Sequence, residues 1–577
     1  MLILGLNVHH GDSAACLIKD GKLMSAAEEE RFTRIKHTSE FPINAIKFCI
    51  NANKINIQNI DYITINSKFY YNFFYKIFFL FKNIFKLSEF FNKTETFYYK
   101  KNVKKKIEDF FGSPIKAKII FVPHHLAHVY STLFFLEDNK NSIIFSFDGS
   151  GDFSTIEAYL VKNDKIKLIK KIIFPNSLGL FYTAFTQLVG FEKYGDEYKF
   201  MGLAAYGKPI YYNELKKMII SIDPFKIDMS FFNFPKIDYS HNFPQINRLY
   251  SNKLENIFKI KYNLIEKDYN LQISKDIAAS VQKIFEEIVL NILKNFKKKY
   301  KSDKLYLTGG CSFNSLLVGK IIETKIFKNV SIGPNPGDAG GAIGSGFYFC
   351  KKKKIKIDPQ QPITFSGPSF SNEEIKKKII NKILNNKNYQ INFYENFYDL
   401  SKKVAKLIKI ESIIFWFQDS MEWGPRALGN RSILADPSKK NIKEFINLRV
   451  KNRELFRPFG VSILEEFADN FFFMNKHSSP NMNIVFRTRA EIYKRFPDIV
   501  HADGTTRVQT VSEKNNVKFY NLIKDFYKIT KTPMLINTSM NKESPIALNP
   551  ENAWQVFCES DVKSLILNNW LIKKINN

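Results

Sequence analysis

The chain has 577 residues, enough for roughly two to four domains, and 45% of them are hydrophobic, a proportion that excludes a disordered protein. Its five cysteines are scattered and form no CxxC pair, which excludes a disulfide framework and a zinc ribbon. The net charge of +30 would suit a polyanionic partner, but the excess is lysine spread through the chain beside abundant Asn, Ile and Phe, so we interpret it as compositional drift and expect no nucleic-acid partner.

The N-terminus begins with an apolar run, MLILGLNV, that leads directly into HHGDSAACLIKDGK. This pattern predicts a strand followed by a β-hairpin rather than a secretory signal, so we expect a cytoplasmic protein. The same theme of strand, turn and hairpin recurs in SFDGSGDFSTIEAYLVKNDKI. Such a duplicated unit is typical of the actin-like (ASKHA) fold, whose Asp- and Gly-bearing turns hold phosphates, although each turn alone could be a plain hairpin.

The segment from Phe69 to Lys106 interleaves aromatic residues with lysines. Lysines 76, 82 and 86 interrupt it too often for a membrane-spanning helix, which needs about 20 mostly apolar residues. Two interpretations remain. The segment lies on anionic lipid at the inner membrane face or covers an apolar substrate tail, or it forms an ordinary buried pair of Phe-rich helices.

The run PHHLAHVYS predicts a helix that carries His124 and His128 on one face. Asp148 ends the strand-like run SIIFSFD, and Asp338 follows the run NVSIG and precedes a small-residue helix. Two imidazoles and two carboxylates would suit a single iron, manganese or zinc ion. The alternative is that the histidines only cap or pack their helix. His125 should point to another face.

A stretch rich in lysine, proline and serine, Lys351–Ser371, interrupts the α/β pattern. We therefore predict an N-terminal domain over 1–355, a linker over 356–372 and a second α/β domain over 373–577. In the second domain arginines recur beside Gly, Asn and Thr, at positions 426, 431, 453, 457 and 507. Guanidinium groups supply bidentate donors, so these contexts predict a site for phosphate-like anions.

Motifs along almost the whole chain resemble the O-carbamoyltransferase family that includes nodulation-factor, tobramycin and cephem carbamoyltransferases. In chain order they include AAEEERFTRIKH, PHHLAH, DGSGD, SLGLFYTAFTQLVGF, YKFMGLAAYG, EWGPRALGNRSILADP, KNRELFRPF, HADGTTRVQT and NTSMN. The resemblance implies an actin-like N-terminal domain similar to tRNA threonylcarbamoyl-transfer enzymes, fused to a YrdC-like C-terminal domain. It also implies an ATP-dependent carbamoyltransferase that makes carbamoyl adenylate and passes the carbamoyl group to a hydroxyl acceptor, a small molecule such as a sugar, glycan or natural product.

The resemblance also implies roles for individual residues. The C-terminal site would bind carbamoyl phosphate and ATP, with its Mg²⁺, through Arg426, Lys451, Arg457, Arg507 and Asn537. The N-terminal site would hold ferrous iron, or another divalent metal, at His124, His128, Asp148 and Asp338, with the adenylate against Gly149, Gly310 and Asn314. His10 would take the proton of the attacking hydroxyl, and Lys36 would lie near the acceptor.

The sequence departs from the family pattern at two places. The carboxylate that usually follows the N-terminal histidine is shifted by one residue, to Asp12, and the loop in NTSMNKESP is one residue shorter. Two other functions share these folds. One is a tRNA threonylcarbamoyladenosine-type modification enzyme. The other is an inactive regulatory ATPase, which would require the loss of the four metal ligands or of the arginines.

Overall fold

A computed structural model describes residues 1–82, 102–132, 141–163, 165–239, 242–258, 269–358 and 363–575. The chain divides into two compact units, Met1–Gln361 and Pro362–Asn577, and the division falls within the predicted linker. Residues 83–101 of the aromatic segment, with Lys86, Lys100 and Lys101, lie outside the described residues.

The first unit contains two five-stranded sheets. The strands of the first sheet are β1 Leu2–Asn7, β2 Ala14–Lys19, β3 Lys22–Glu28, β4 Tyr62–Ile65 and β5 Lys118–Phe121. The second sheet begins with β6 Ser142–Gly151, β7 Ser154–Lys162 and β8 Lys165–Ile173. Four short strands follow, β9 Ile219–Ile222, β10 Phe225–Ile227, β11 Ile237–Asp238 and β12 Gln245–Ile246. The second sheet is completed by β13 Lys304–Thr308 and β14 Asn329–Ile332.

The two sheets have the same topology. The first has the order β3-β2-β1-β4-β5 and the second the order β8-β7-β6-β13-β14. In each, the first three strands form an antiparallel meander, and the last two run parallel to the strand at the centre of the sheet, which is β1 in the first sheet and β6 in the second. The structure thus confirms an α/β fold with the predicted internal duplication.

Helices connect and cover these sheets. Their bounds are Glu30–Thr33, Ile43–Ala52, Phe73–Lys82, Val103–Phe111, His124–Ser131, Leu178–Leu188, Glu197–Ala204, Tyr212–Lys216, Asn252–Phe258, Gln272–Tyr300, Ser315–Glu323 and Gly340–Lys352. We call His124–Ser131 the histidine helix, Gly340–Lys352 the small-residue helix and Phe73–Lys82 the aromatic helix. A Cβ on Gly344 would lie 1.8 Å from the Ala127 carbonyl oxygen, so only glycine lets the small-residue helix approach the histidine helix this closely.

The second unit is built on one nine-stranded mixed sheet. Its strands are β15 Tyr389–Phe393, β16 Ile413–Phe417, β17 Arg431–Ala435, β18 Gly460–Leu464, β19 Ile484–Arg487, β20 Thr505–Val511, β21 Met534–Ser539, β22 Ser564–Leu567 and β23 Trp570–Lys574. Their order is β15-β23-β22-β16-β17-β21-β18-β20-β19. Every residue of the central strands β16 and β17 is buried, as expected for strands covered on both faces.

The α-helices of the second unit are Asn372–Ile375, Asn381–Ile383, Phe397–Glu411, Ile442–Phe445, Ala468–Phe471, Ala490–Arg495, Val517–Thr530 and Pro550–Cys558. The helices Phe397–Glu411 and Val517–Thr530 pack their apolar faces on the sheet in one core that includes Trp416. The YrdC-like assignment of this unit stays a prediction from the resemblance. Within the described ranges of both units, no helix has the length and apolar character that crossing a bilayer requires.

Candidate metal centre and anion site

Four side chains of the first unit converge on one point: His124 and His128 of the histidine helix, Asp148 of β6, and Asp338 just before the small-residue helix. The two Nε2 atoms are 3.0 Å apart. His128 Nε2 lies 3.2 Å from Asp148 Oδ2 and 3.4 Å from Asp338 Oδ1. A metal bonded at about 2.1 Å to four ligands keeps them about 3 to 3.5 Å apart. The tetrad therefore fits one divalent ion held by nitrogen and oxygen.

Backbone groups orient two of these side chains. The amides of Gly149 and Gly310 donate to the two Asp148 carboxylate oxygens at 2.7 and 2.8 Å. A Cβ on Gly151 would lie 1.9 Å from the His124 ring, so this glycine makes room for the imidazole. Such contacts around the ligands fix their direction before any metal binds.

The charges of the tetrad favour a cation. Burial opposes ionisation of Asp148, but hydrogen bonds from His124 and His128 outweigh it and hold the pKa of this carboxyl well below its usual range. Burial likewise opposes a charge on His128, but hydrogen bonds to Asp148 and Asp338 raise its pKa to about 9. Both pKa shifts show that the carboxylates stay negative and attract positive charge, whether protons or a metal ion.

The other residues that the sequence predicted for this site, and His125, make different contacts. His10 Nδ1 lies 2.8 Å from Asp338 Oδ2, so Asp338 links His10 to the tetrad. His125 points away and hydrogen-bonds Ser146 Oγ through Nδ1 at 2.7 Å. The Asn314 side chain exchanges two hydrogen bonds with Gln282, at 2.9 and 3.0 Å. Gly149 and Gly310 donate their amides to Asp148, and their contact with adenylate stays a prediction.

Asp12 faces His37 rather than the tetrad. Its Oδ1 lies 2.8 Å from His37 Nδ1, and the turn that carries it is held by Asn7, whose Nδ2 donates to the Asp12 carbonyl at 2.9 Å. Glu30, Asp12 and His37 form a second group of side chains that could bind a metal ion. However, Arg31 Nη1 lies 2.7 Å from Glu30 Oε1, so a guanidinium already supplies positive charge there. The shifted Asp12 is thus part of an ion-pair network. Lys36, which directly precedes His37 in the sequence, is exposed.

Two tyrosines near His10 had no signal in the sequence. The Tyr239 ring lies 4.9 Å from the His9 ring and 6.0 Å from the His10 ring, and Tyr194 lies 5.9 Å from His37. Burial, followed by the Asp338 charge, raises the pKa of both tyrosines, so their hydroxyls stay protonated and can donate. Half-buried aromatic rings therefore line the His10 side of the centre. They stand on irregular segments, where periodicity gives no prediction.

Four arginines cluster in the second unit. Burial lowers the pKa of Arg507 well below its ordinary value, and the positive charges of Arg426, Arg453 and Arg457 lower it further. Within the part of this unit that the structure describes, the buried Arg507 Nε has no hydrogen-bond partner. Converging guanidinium groups at low dielectric repel one another, so an anion with several oxygens would relieve that repulsion.

Residues 423–430, which we call the arginine loop, carry Arg426 and are held by buried polar groups. Glu422 Oε1 accepts the amides of Leu428 and Asn430, each at 2.8 Å, and of Arg431 at 3.1 Å. Asn537 Nδ2 donates to the Ala427 carbonyl at 3.2 Å. Asn537 therefore helps to position the loop that presents Arg426, and its role in ligand binding stays a prediction.

Lys451 has a similar positioning contact. Its Nζ is buried and donates to the Ser539 carbonyl and to Asn541 Oδ1, each at 2.6 Å. Asn541 Nδ2 donates in turn to the Ser544 carbonyl at 2.5 Å, within the shortened loop. Ser539 and Asn541 were not singled out from the sequence, although they follow Asn537 in the motif NTSMN.

Arg431 does not belong to the cluster, although its sequence context suggested an anion site. It is fully buried, and its guanidinium donates to four backbone carbonyls, those of Gln418, Asn430, Pro368 and Asp419, at 2.5 to 3.1 Å. It also stacks 3.6 Å from the Phe417 ring. These contacts occupy both terminal nitrogens of the guanidinium within the protein, so Arg431 is a structural residue.

Comparisons with known protein families match both units. Residues 2–347 match the family described as carbamoyltransferase N-terminus, and residues 405–574 match carbamoyltransferase C-terminus. The chain is 30% identical over 575 residues to nodulation protein NolNO of Sinorhizobium fredii, covering 98% of this chain and 80% of that protein. It is 31% identical to an uncharacterized protein of Methanocaldococcus jannaschii over the full length of both.

Solved structures match mainly over part of the chain. Component A of (R)-2-hydroxyglutaryl-CoA dehydratase from Acidaminococcus fermentans is 12% identical with a TM-score of 0.33, over 61% of this chain and 99% of that one. Full-length HypF in its phosphate- and nucleotide-bound form is 14% identical with a TM-score of 0.30, over 61% of this chain and 46% of that one.

Proposed function

The chain belongs to the carbamoyltransferase family, and from that membership we propose that it activates a carbamoyl group with ATP and transfers it to a hydroxyl of a sugar-like or natural-product acceptor. The observation that carries the proposal is that each unit contains one half of the required chemistry. The second unit has a cluster of arginines for phosphates, and the first has a tetrad that fits a metal.

Activation suits the arginine cluster. Water releases phosphate from carbamoyl phosphate, and an oxygen of the freed carbamate attacks the α-phosphorus of ATP, so that pyrophosphate leaves and carbamoyl adenylate forms. Arg426, Arg453, Arg457 and Arg507 would bind the phosphate oxygens and stabilise the charge that builds up on them, and Mg²⁺ would accompany the ATP. Glu422 and Asn537 hold the loop that presents Arg426.

Transfer suits the first unit. A divalent metal at the tetrad, with iron as our first choice, would polarise the carbamoyl oxygen and orient the adenylate. His10 Nδ1 lies 2.8 Å from Asp338 Oδ2, and a carboxylate on that side makes an imidazole a better base at its other nitrogen. His10 would take the proton of the acceptor hydroxyl as that oxygen attacks the carbamoyl carbon and AMP leaves. Tyr194 and Tyr239 would face the acceptor beside it.

The test is pyrophosphate release by the purified protein without any acceptor. With ATP and carbamoyl phosphate we expect one pyrophosphate for each carbamoyl adenylate formed, and none when carbamoyl phosphate is omitted. Release that requires threonine and bicarbonate instead would contradict the proposal and favour the tRNA-modification function. Absence of release under both conditions would contradict an activating role for the arginine cluster.

A further inference from the structure

The aromatic helix exposes an unusually large apolar face. Tyr70, just before it, is 62% exposed, and within it Phe74, Tyr75, Phe78 and Phe81 are 83%, 53%, 60% and 71% exposed. Soluble surfaces rarely carry so many large rings together, and such patches mark interaction sites. The alternative of an ordinary buried Phe-rich helix is therefore wrong for Phe74, Tyr75, Phe78 and Phe81.

The opposite face of the helix is anchored in the first unit. The Phe79 ring lies 5.3 to 5.5 Å from the rings of Phe153, Phe174 and Phe234. Because Phe79 is held from the inside, the exposed rings point outward as a consequence of packing. The helix thus has a fixed inner face and an apolar outer face.

A second anchor, Asp152, connects the start of this helical segment to the candidate metal centre. Asp152 Oδ2 accepts the amide of Lys68, at the start of the segment, and the amide of His124, at the start of the histidine helix, each at 2.8 Å. Asp152 Oδ1 accepts a hydrogen bond from the Ser67 hydroxyl at 2.9 Å. One carboxylate therefore holds the base of the aromatic segment and the first residue of the tetrad together.

Charge selects the partner for the outer face. The sequence has no Asp or Glu between Asp61 and Glu89, whereas lysines stand at 68, 76, 82 and 86, and the whole chain carries +30. A second copy of so basic a chain would be repelled. Aromatic rings with lysines and no acidic residue are the composition of a segment lying at an anionic bilayer surface. Lysines 76, 82 and 86 interrupt the segment too often for a spanning helix, which needs about 20 mostly apolar residues.

We propose that the outer face of residues 70–81 binds the surface of an anionic bilayer, with the aromatic rings at the headgroup level and the exposed Lys68 near the lipid phosphates. Binding there would hold the candidate metal centre close to the membrane through the Asp152 anchor. This proposal goes beyond the proposed function and is tested without turnover, so either can fail alone.

The experiment is flotation of the full chain with liposomes of phosphatidylcholine containing about 30% phosphatidylglycerol. We expect the wild type to float with these liposomes, to float much less with pure phosphatidylcholine, and to be released by about 0.5 M salt. The triple variant Phe74→Ser, Phe78→Ser, Phe81→Ser should bind at least about tenfold more weakly, because it loses its apolar contacts. A matched control replaces three rings of the second unit that are each at least half exposed, Tyr398→Ser, Phe473→Ser and Tyr493→Ser, and should float like the wild type.

Thermal melting of both triple variants shows whether each is folded. If the Phe74, Phe78 and Phe81 variant melts early, the milder double variant Phe74→Ser, Phe81→Ser takes its place. Equal flotation of folded variant and wild type, or no flotation of the wild type, would overturn the proposal. Lipid-free sedimentation that shows a dimer abolished by the same substitutions would also overturn it, by assigning the face to a second copy.

Discussion

At the scale of single residues, the role of each charged side chain depends on what already occupies its polar atoms. Asp338 Oδ1 faces the two tetrad histidines, and its Oδ2 lies 2.8 Å from His10. Arg431 has the same charge as Arg507, but four backbone carbonyls accept hydrogen bonds from its two terminal nitrogens, whereas the Arg507 guanidinium lies among three other arginines. The type of a residue therefore indicates which chemistry is possible, and the contacts of its side chain determine which role it has.

Asp338→Ala should lower bound metal and carbamoyl transfer together. Loss of one ligand should weaken metal binding by at least the 10- to 100-fold typical of changes in the surrounding shell. Elemental analysis and transfer from supplied carbamoyl adenylate measure both effects. His125→Asn, a change on the histidine helix outside the tetrad, should keep its metal. Full metal content in Asp338→Ala would mean that the tetrad is structural.

The Asp12–His37 pair predicts a pH-dependent contribution to stability. Burial opposes the charged imidazole, but Asp12 outweighs it and raises the pKa of His37 to about 9, against about 6.5 in an unfolded chain. Because the folded pKa is the higher one, the stabilisation is complete below about pH 6.5 and is lost as the pH rises through about 9. Asp12→Asn should lower the free energy of unfolding by about 1 kcal/mol at about pH 6 and by much less at about pH 9.5.

Urea unfolding at both pH values measures this difference. Asp419→Asn is the matched control, because it breaks an ion pair with a lysine, Lys518 at 2.6 Å, rather than with a histidine, and it should give nearly the same loss at both pH values. A loss for Asp12→Asn that does not change with pH would mean that His37 is neutral in the folded protein.

At the scale of elements, both sites depend on close backbone approach and on buried polar contacts. The histidine helix and the small-residue helix meet at Gly344, and this contact brings Asp338 to the histidines. In the second unit, the arginine loop has no regular structure of its own and is shaped by Glu422, Gln509 and Asn537. Gln509 Nε2 donates to the Leu428 carbonyl at 2.9 Å.

Glu422→Gln should impair activation and leave transfer intact. The Glu422 carboxylate accepts hydrogen bonds from three backbone amides. Replacing this charged acceptor by a neutral one should cost about 1 to 3 kcal/mol, which corresponds to a loss of about tenfold to a hundredfold in kcat/KM for ATP, measured as pyrophosphate release. The loss should appear mainly in KM, because Arg426 is displaced rather than removed. Glu466→Gln, an acid of the same unit outside the loop, should behave as wild type. Equal losses in transfer from supplied carbamoyl adenylate would show general misfolding.

At the scale of the whole molecule, the two compact units divide the proposed reaction. The arginine cluster belongs wholly to the second unit, and the tetrad belongs wholly to the first. The two half-reactions should therefore be separable by single substitutions, although the complete reaction needs both.

Arg507→Ala should abolish pyrophosphate release while the protein still transfers from supplied carbamoyl adenylate. The reason is that this arginine lies at the centre of the cluster, where its loss removes a donor and a positive charge. Arg489→Ala, which removes an arginine that stacks on Phe473 in the same unit, is the matched control and should keep both activities. Loss of transfer in Arg507→Ala would mean that the arginine cluster also serves the second step.

The sequence by itself determined what depends on neighbours along the chain. It predicted the α/β class, the repeated strand–turn–hairpin theme, the histidine pair on one helix face and a linker over 356–372, because strand and helix periods and turn residues act over a few positions. It also predicted the cluster arginines as residue types. The YrdC-like assignment and the identity of the metal stay predictions.

Only the tertiary structure decided which of these residues meet. Asp338 reaches the histidines because two helices pack backbone to backbone, and Asp12 turns to His37 because of the fold of its turn. Arg431 becomes structural, and Asn537 holds a loop, because distant carbonyls come within hydrogen-bond distance. The outward direction of the aromatic helix follows from where Phe79 packs. Such contacts join residues many positions apart, and a local pattern carries no information about which faces will pack.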